Sequence, residues 1–218
     1  MTSYSNFQVS RNKATKEKNI FSQGKNLRKQ SSKSEKMMES IALWASWYRF
    51  RIDKFAEEYL GIKLKLFQIF LLFAMQHNHY FMYLASRGQG KSFISAIYAV
   101  SRAILYPNTI IVIASGTKGQ AISVLKKIEE IRNNSPNLKR EINDLKLGSN
   151  DPFCSFHNGS VIRVVTSNDN ARSARAHVIL VDEFRMVDFS VIQKVLRKFL
   201  TTPRQAPFMS KSEYADYP

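Results

Sequence analysis

The stretch that most narrows what this chain can fold into is Ala85-Ser86-Arg87-Gly88-Gln89-Gly90-Lys91-Ser92. The apolar run Tyr80 to Ala85 before it reads as a short buried strand, and Lys91 to about Leu105 after it reads as a helix. A strand, a glycine turn and a helix in that order gather backbone N–H groups and the positive end of the helix around one point, which suits phosphate oxygens. Gly90 lets the backbone close around them, Lys91 can reach the β- and γ-phosphates, and the Ser92 hydroxyl can ligate Mg²⁺. Ala85 stands where the usual pattern has its first glycine, so a surface turn with the same residues is the competing reading.

A second motif decides between them. Val178-Ile179-Leu180-Val181 runs directly into Asp182-Glu183. A buried strand ending in two carboxylates sets Asp182 at the carboxyl edge of a sheet, where ligands bind in open α/β folds. Asp182 would hold Mg²⁺ there, and Glu183 could orient and deprotonate an attacking water. The adjacent Glu points to hydrolysis rather than transfer to a substrate hydroxyl.

The rest of the chain supports an α/β reading. Ile41, Trp44, Ala45 and Tyr48 recur at helical spacing, and Leu64 to Gln76 is apolar on most sides and reads as a buried helix. Thr109 to Ala114 reads as a buried strand between the two motifs and Gly119 to Arg132 as a helix broken by Asn134-Ser135-Pro136. Phe153 to Phe156 and Ser160 to Val165 flank His157-Asn158-Gly159, which suggests a hairpin with a primed turn. Phe189 to Phe199 reads as an amphipathic helix. Continuous apolar strands alternating with helices imply a mainly parallel sheet covered on both faces.

Charge adds a partner class. The 218 residues carry 33 Lys and Arg against 17 Asp and Glu, a net +16. Residues 1–36 hold nine of the basic side chains against Glu17 and Glu35, and this polar, aperiodic stretch reads as a disordered basic tail. The +9 that stays with the other residues points to a polyanion, most plausibly nucleic acid. The single cysteine, Cys154, excludes an internal disulfide, and the longest apolar stretch is too short to span a bilayer. An intracellular protein is expected.

From about Trp44 to Pro203 the ordered motifs resemble the N-terminal ATPase domain of the large terminase subunit of tailed bacteriophages. Ser86 to Ser92 resembles that family's deviant phosphate loop, and Leu66-Phe67-Gln68 is similar to its upstream glutamine motif. Thr117 to Ala121, Asn158-Gly159-Ser160 and Ala171 to Ala176 precede Val181-Asp182-Glu183 as they do there. Leu200-Thr201-Thr202-Pro203 is similar to the family's coupling motif.

The resemblance implies a P-loop NTPase fold of the additional-strand, RecA- and terminase-like type. It further implies an ATP hydrolase that uses Mg²⁺ to translocate double-stranded viral DNA into a procapsid. Nucleotide would be bound by Gln68, Ser86, Arg87, Gly88, Gln89, Gly90, Lys91, Ser92, Thr201 and Thr202. Glu183, Lys91 and Arg87 would be catalytic, and Ser92 and Asp182 would hold the metal. Gln68 would contact adenine, the competing reading being a helix-surface or capped amide; Arg87 would approach the γ-phosphate or shift during the cycle. Thr201 and Thr202 would sense the γ-phosphate, and Arg163, Arg172 and Arg175 are candidates for an arginine acting on a neighbouring subunit.

Partners implied are double-stranded DNA, the portal protein, the small terminase subunit and further copies in a ring during packaging, with a monomer allowed for the isolated chain. The place of action would be the host cytoplasm, with transient docking on the procapsid. Residues 37–210 would be the ATPase domain and residues 211–218 a truncated linker, with no room for the family's nuclease domain. Another DNA-stimulated ATPase or helicase lobe is the alternative enzyme. A nucleic-acid-binding module with a vestigial nucleotide site is the non-enzymatic one.

Overall fold

The computed structural model describes residues 33–86, 88–148, 151–166 and 175–187. The chain divides into two units between Ser46 and Trp47. Helix α1 (Lys33–Phe50) crosses that division. Lys33 to Lys36, assigned from sequence to the tail, thus belong to the helix, where the Ser40 hydroxyl donates to the Lys36 carbonyl. All the remaining elements lie in the second unit.

In that unit a helical turn (Ile52–Lys54) passes into a π-helical segment (Phe55–Tyr59), closed by Leu60 N–H donating to the Phe55 carbonyl at 3.2 Å. Then come α2 (Leu66–His77), α3 (Lys91–Leu105), β1 (Ile110–Ser115), α4 (Lys118–Asn134) and α5 (Pro136–Glu141). β2 (Ile142–Lys146), β3 (Phe153–Phe156), β4 (Val161–Thr166) and β5 (Val178–Asp182) complete the sheet, followed by a 3₁₀ turn (Phe184–Met186). Among the described residues no helix is long and apolar enough to cross a membrane.

The sheet order is β2-β3-β4-β1-β5. β1 pairs in parallel with both β4 and β5, whereas β2, β3 and β4 form an antiparallel meander. The parallel half carries the site. Ile111 and Ile113 point to one face of β1 and join α3 and α4 in the main core, with Leu125 and Ile128 of α4 fully buried. Val112 and Ala114, on the opposite face by the alternation of a strand, are fully buried too.

Several expectations are corrected. Residues 80–85 form no strand, and Leu84 is 92% exposed. An apolar run becomes a strand only where its backbone groups find a ladder. Here the Ala85 carbonyl instead accepts from the Lys91 ammonium, and among the described residues β5 pairs only with β1. β1 therefore separates the two motifs in sequence but lies beside the acidic strand in the sheet. Helix α2 is not buried on most sides: Gln68, Leu72 and Met75 are, while Leu66, Phe67, Phe70 and Phe73 are exposed.

The β3–β4 hairpin exists, but its turn is not the primed one. Asn158 does not have positive φ; the loop has three residues, with Phe156 N–H donating to the Ser160 carbonyl and Gly159 at φ +82°. Asn158 is held there because its Nδ2 donates to the Ala103 and Ile104 carbonyls at the end of α3. The helix expected over residues 189–199 lies outside the described residues.

Leu125→Ala, which empties a core position, is expected to cost about 2–5 kcal/mol in chemical denaturation. Leu84→Ala is expected to change stability by less than about 0.5 kcal/mol. A loss near 2 kcal/mol at Leu84 would mean that residues 80–85 are a core strand after all.

Candidate nucleotide site

The parallel register fixes one edge of the site. Ser115 at the end of β1 is paired with both Thr166 of β4 and Asp182 of β5, so three strands end together. The chain leaves β5 through Glu183, whose backbone is left-handed at φ +50°, an uncommon conformation for a residue with a Cβ. Asp182 Oδ1 accepts from the Glu183 N–H at 3.0 Å, and the 3₁₀ turn that follows returns Met186 N–H to the Glu183 carbonyl at 2.8 Å.

The glycine loop supplies the other edge. Gly88 and Gly90 take φ of +83° and +73°, values that favour glycine, and Gly90 is the N-cap of α3. The N–H groups of the first turn of α3, which have no partners within the helix, and its positive dipole end thus start at the glycine loop. Lys91 Nζ donates to the Ala85 carbonyl at 3.1 Å and lies 4.0 Å from Glu183 Oε1. The Ser92 hydroxyl lies close enough to the Asp182 carboxylate to lower its pKa. Lys91, Ser92, Asp182 and Glu183, read from two motifs about ninety residues apart, are thus brought together.

Burial pushes the Asp182 carboxyl above its ordinary range, and the Glu183 charge adds to this; the Glu183 N–H, the Lys91 charge and the nearby Ser92 hydroxyl act the other way without cancelling it. Two oxygen donors, the Ser92 hydroxyl and a partly desolvated carboxylate, form a set suited to Mg²⁺. Among the described residues no three His, Cys, Asp or Glu side chains cluster as a metal cage. A metal here would therefore need further oxygens from solvent or from a bound phosphate.

Gln68 sits at the start of α2, buried, with Oε1 accepting from the Lys65 N–H at 2.9 Å. It is the capped amide of the competing reading, and it also reaches the loop: a methyl group on Gly90 would lie 3.8 Å from its Nε2. Beside it a cleft of about 720 Å³ opens between Leu66, Phe67, Phe70 and Leu71 of α2 and the segment Tyr83 to Ser86 with Gln89. Ser86, Gly88 and Gln89 are exposed. Arg87, Arg172, Thr201 and Thr202 lie outside the described residues. Arg163 is exposed within β4, and Arg175 is exposed before the amino end of β5, the end away from Glu183.

Sequence reasoning missed two contributors. Tyr83 donates its hydroxyl to the Lys91 carbonyl at 3.3 Å, and burial raises its phenol pKa, with the Asp182 charge as a second cause. The aromatic lining of the cleft was also missed; the i, i+4 spacing of Leu66 and Phe70 was its signal, hidden because α2 read as apolar nearly all round.

Residues 82–212, more than half of the chain, match the family described as terminase large subunit, T4likevirus-type, N-terminal. The chain belongs to that family. Its fold is similar to that of the Thermus phage P74-26 large terminase ATPase domain, with a TM-score of 0.53 at 21% identity over 68% of this chain and 64% of that one. An arginine-to-alanine variant of the same phage domain aligns over the same shares at 20% identity, with a TM-score of 0.49. The chain thus spans less than two thirds of the solved terminase domain it resembles. No curated protein matches it.

The raised Asp182 pKa has a sign that can be checked. A carboxyl whose folded pKa lies above its unfolded value favours the fold when protonated, and that contribution is lost as pH rises through the folded pKa. Asp182→Asn is therefore expected to melt above the parent at pH 7 to 8 in the absence of ligands. The gap should close as pH falls through the raised pKa toward about 4. A variant melting below the parent at neutral pH would contradict this.

Proposed function

We propose that this terminase-family chain is an Mg²⁺-dependent ATPase that drives packaging of double-stranded DNA. The single observation that carries the reading is the convergence of Lys91, at the N-terminus of α3, with Asp182 and Glu183 at the end of β5. A vestigial nucleotide site has no reason to keep all of these side chains within reach of one another.

In this reading the N-terminal turn of α3 and the glycine loop receive the phosphates through backbone N–H groups. Lys91 exchanges its present partners, the Ala85 carbonyl and Glu183, for β- and γ-phosphate oxygens. Ser92 and Asp182 would hold Mg²⁺, which when bound supplies charge neutralisation between the phosphates. Once the ammonium turns to phosphate, the Glu183 carboxylate is free to accept a proton from the water that attacks the γ-phosphorus. The new P–O bond forms as the bond to the β-phosphate oxygen breaks, and ADP carries that oxygen away. The apolar cleft against Phe67 and Phe70 suits a stacked adenine, and Gln68, next to Phe67 in α2, is the residue proposed to contact it.

Arg87 keeps its proposed approach to the γ-phosphate or shift during the cycle, and Thr201 and Thr202 their proposed role in sensing it. The trans-acting arginine is proposed among Arg163, Arg172 and Arg175. Arg175 precedes the amino end of β5, the end away from Glu183, which favours a role at a neighbour's site. The portal protein, the small subunit and a ring of copies are proposed partners, and the host cytoplasm and procapsid the proposed place of action. Duplex DNA would be held through phosphates, independently of base sequence.

Glu183→Gln is expected to lower ATP turnover by at least about 100-fold while nucleotide binding persists, because only the base is lost. Turnover equal to the parent would refute the assignment. Lys91→Ala should instead weaken nucleotide binding itself, and unchanged affinity in a titration would remove the phosphate-loop reading. Duplex affinity should fall by at least about tenfold between roughly 50 and 200 mM salt, and a flat response would count against phosphate contacts.

A further inference from the structure

We infer that Gly116 is a positioning residue for Glu183. The inference rests on the proposed role of Glu183 and adds a residue that none of the motifs assigns. Gly116 follows Ser115, the β1 residue paired with Asp182. Its φ is outside the left-handed range, so the backbone does not require glycine there. Space does. A Cβ on Gly116 would lie 3.0 Å from the Met186 Cβ, 3.1 Å from the Met186 carbonyl oxygen and 3.5 Å from its carbonyl carbon.

These are main-chain and Cβ atoms, which cannot swing aside like the tip of a long side chain, so the 3₁₀ turn itself must move to admit a methyl group. That turn is tied to Glu183 at its start, through the Met186 N–H to Glu183 carbonyl bond of 2.8 Å. Glu183 sits in a left-handed conformation that persists only while its surroundings hold it there. Displacing Met186 therefore shifts the residue that carries the base, from a position outside the glycine loop. The end of β1 acts as the floor against which the catalytic turn is set.

The inference separates the chemical step from binding. In the full chain with Mg²⁺, ATP and duplex DNA, Gly116→Ala is expected to lower kcat by about tenfold or more with KM little changed, since small misplacements of a reacting group are costly. Affinity for a fluorescent ATP analogue should stay within about twofold of the parent. Gly119→Ala adds the same methyl three residues later, where nothing lies within 4 Å, and should behave as the parent. In a Glu183→Gln background Gly116→Ala should cause no further loss, because both changes act on the same group.

Turnover of Gly116→Ala within about twofold of the parent would overturn the inference. So would loss of nucleotide affinity alongside turnover, which is the signature of a packing or folding defect, or losses that multiply in the double variant. If Glu183→Gln itself turns over like the parent, the base assignment fails and the inference with it. If Glu183→Gln is inactive and Gly116→Ala is not, only the inference fails.

Discussion

The parallel pairing of β1 with β5 is the constraint on which the rest depends. Its register sets Ser115 against Asp182, and so decides where the two carboxylates leave the sheet. β1 is almost wholly buried, and its core face packs with α3 and α4, so the apolar contacts that stabilise the domain also fix the strand end. The glycine loop contributes its own local constraint, two positive φ values that start α3 beside that edge. A rigid sheet edge and a helix N-terminus then confine Lys91 and Glu183 to one small space.

Much of this was legible in the sequence because short motifs carry their own geometry. Gly90-Lys91-Ser92 requires a turn into a helix, and an apolar run ending in Asp182-Glu183 requires a buried strand opening at the carboxyl edge. Burial was less legible. Nothing in Tyr80 to Ala85 alone says whether a neighbour offers a ladder, and in the structure the Ala85 carbonyl is satisfied by Lys91. β2 escaped notice because Ile142-Asn143-Asp144-Leu145-Lys146 is polar and its register slips between Ile142 and Asp144. The turn at Asn158 was misread because its amide is drawn to the end of α3, a tertiary contact that no local pattern reveals. Gly116 was invisible for the same reason, since its neighbour Met186 is distant in sequence.

The positive charge of the chain also looks different once its partners are seen. Arg51 is bonded to the buried Asp53 at 2.7 Å, and the Arg49 Nε donates to the Leu105 carbonyl at the end of α3. Arg102 stacks on the Tyr106 ring, 3.7 Å from its centroid. These cations serve a buried carboxylate, a helix C-terminus and an aromatic face, so they hold the fold rather than a polyanion. Lys91 bonds the Ala85 carbonyl and faces Glu183 in the candidate nucleotide site. The surface that could serve the proposed duplex partner is smaller than a net +16 suggests.

The account's central claim is that one site couples ATP to duplex DNA in a motor that works with neighbouring copies. The most direct measurement is ATP turnover by the full chain, with and without duplex or single-stranded DNA, over a range of protein concentrations. The account predicts stimulation by duplex DNA above that by single strands, and activity that rises more than linearly with protein as neighbours supply an arginine. Absence of turnover, or preferential stimulation by single-stranded DNA with strictly linear dependence on protein, would contradict it.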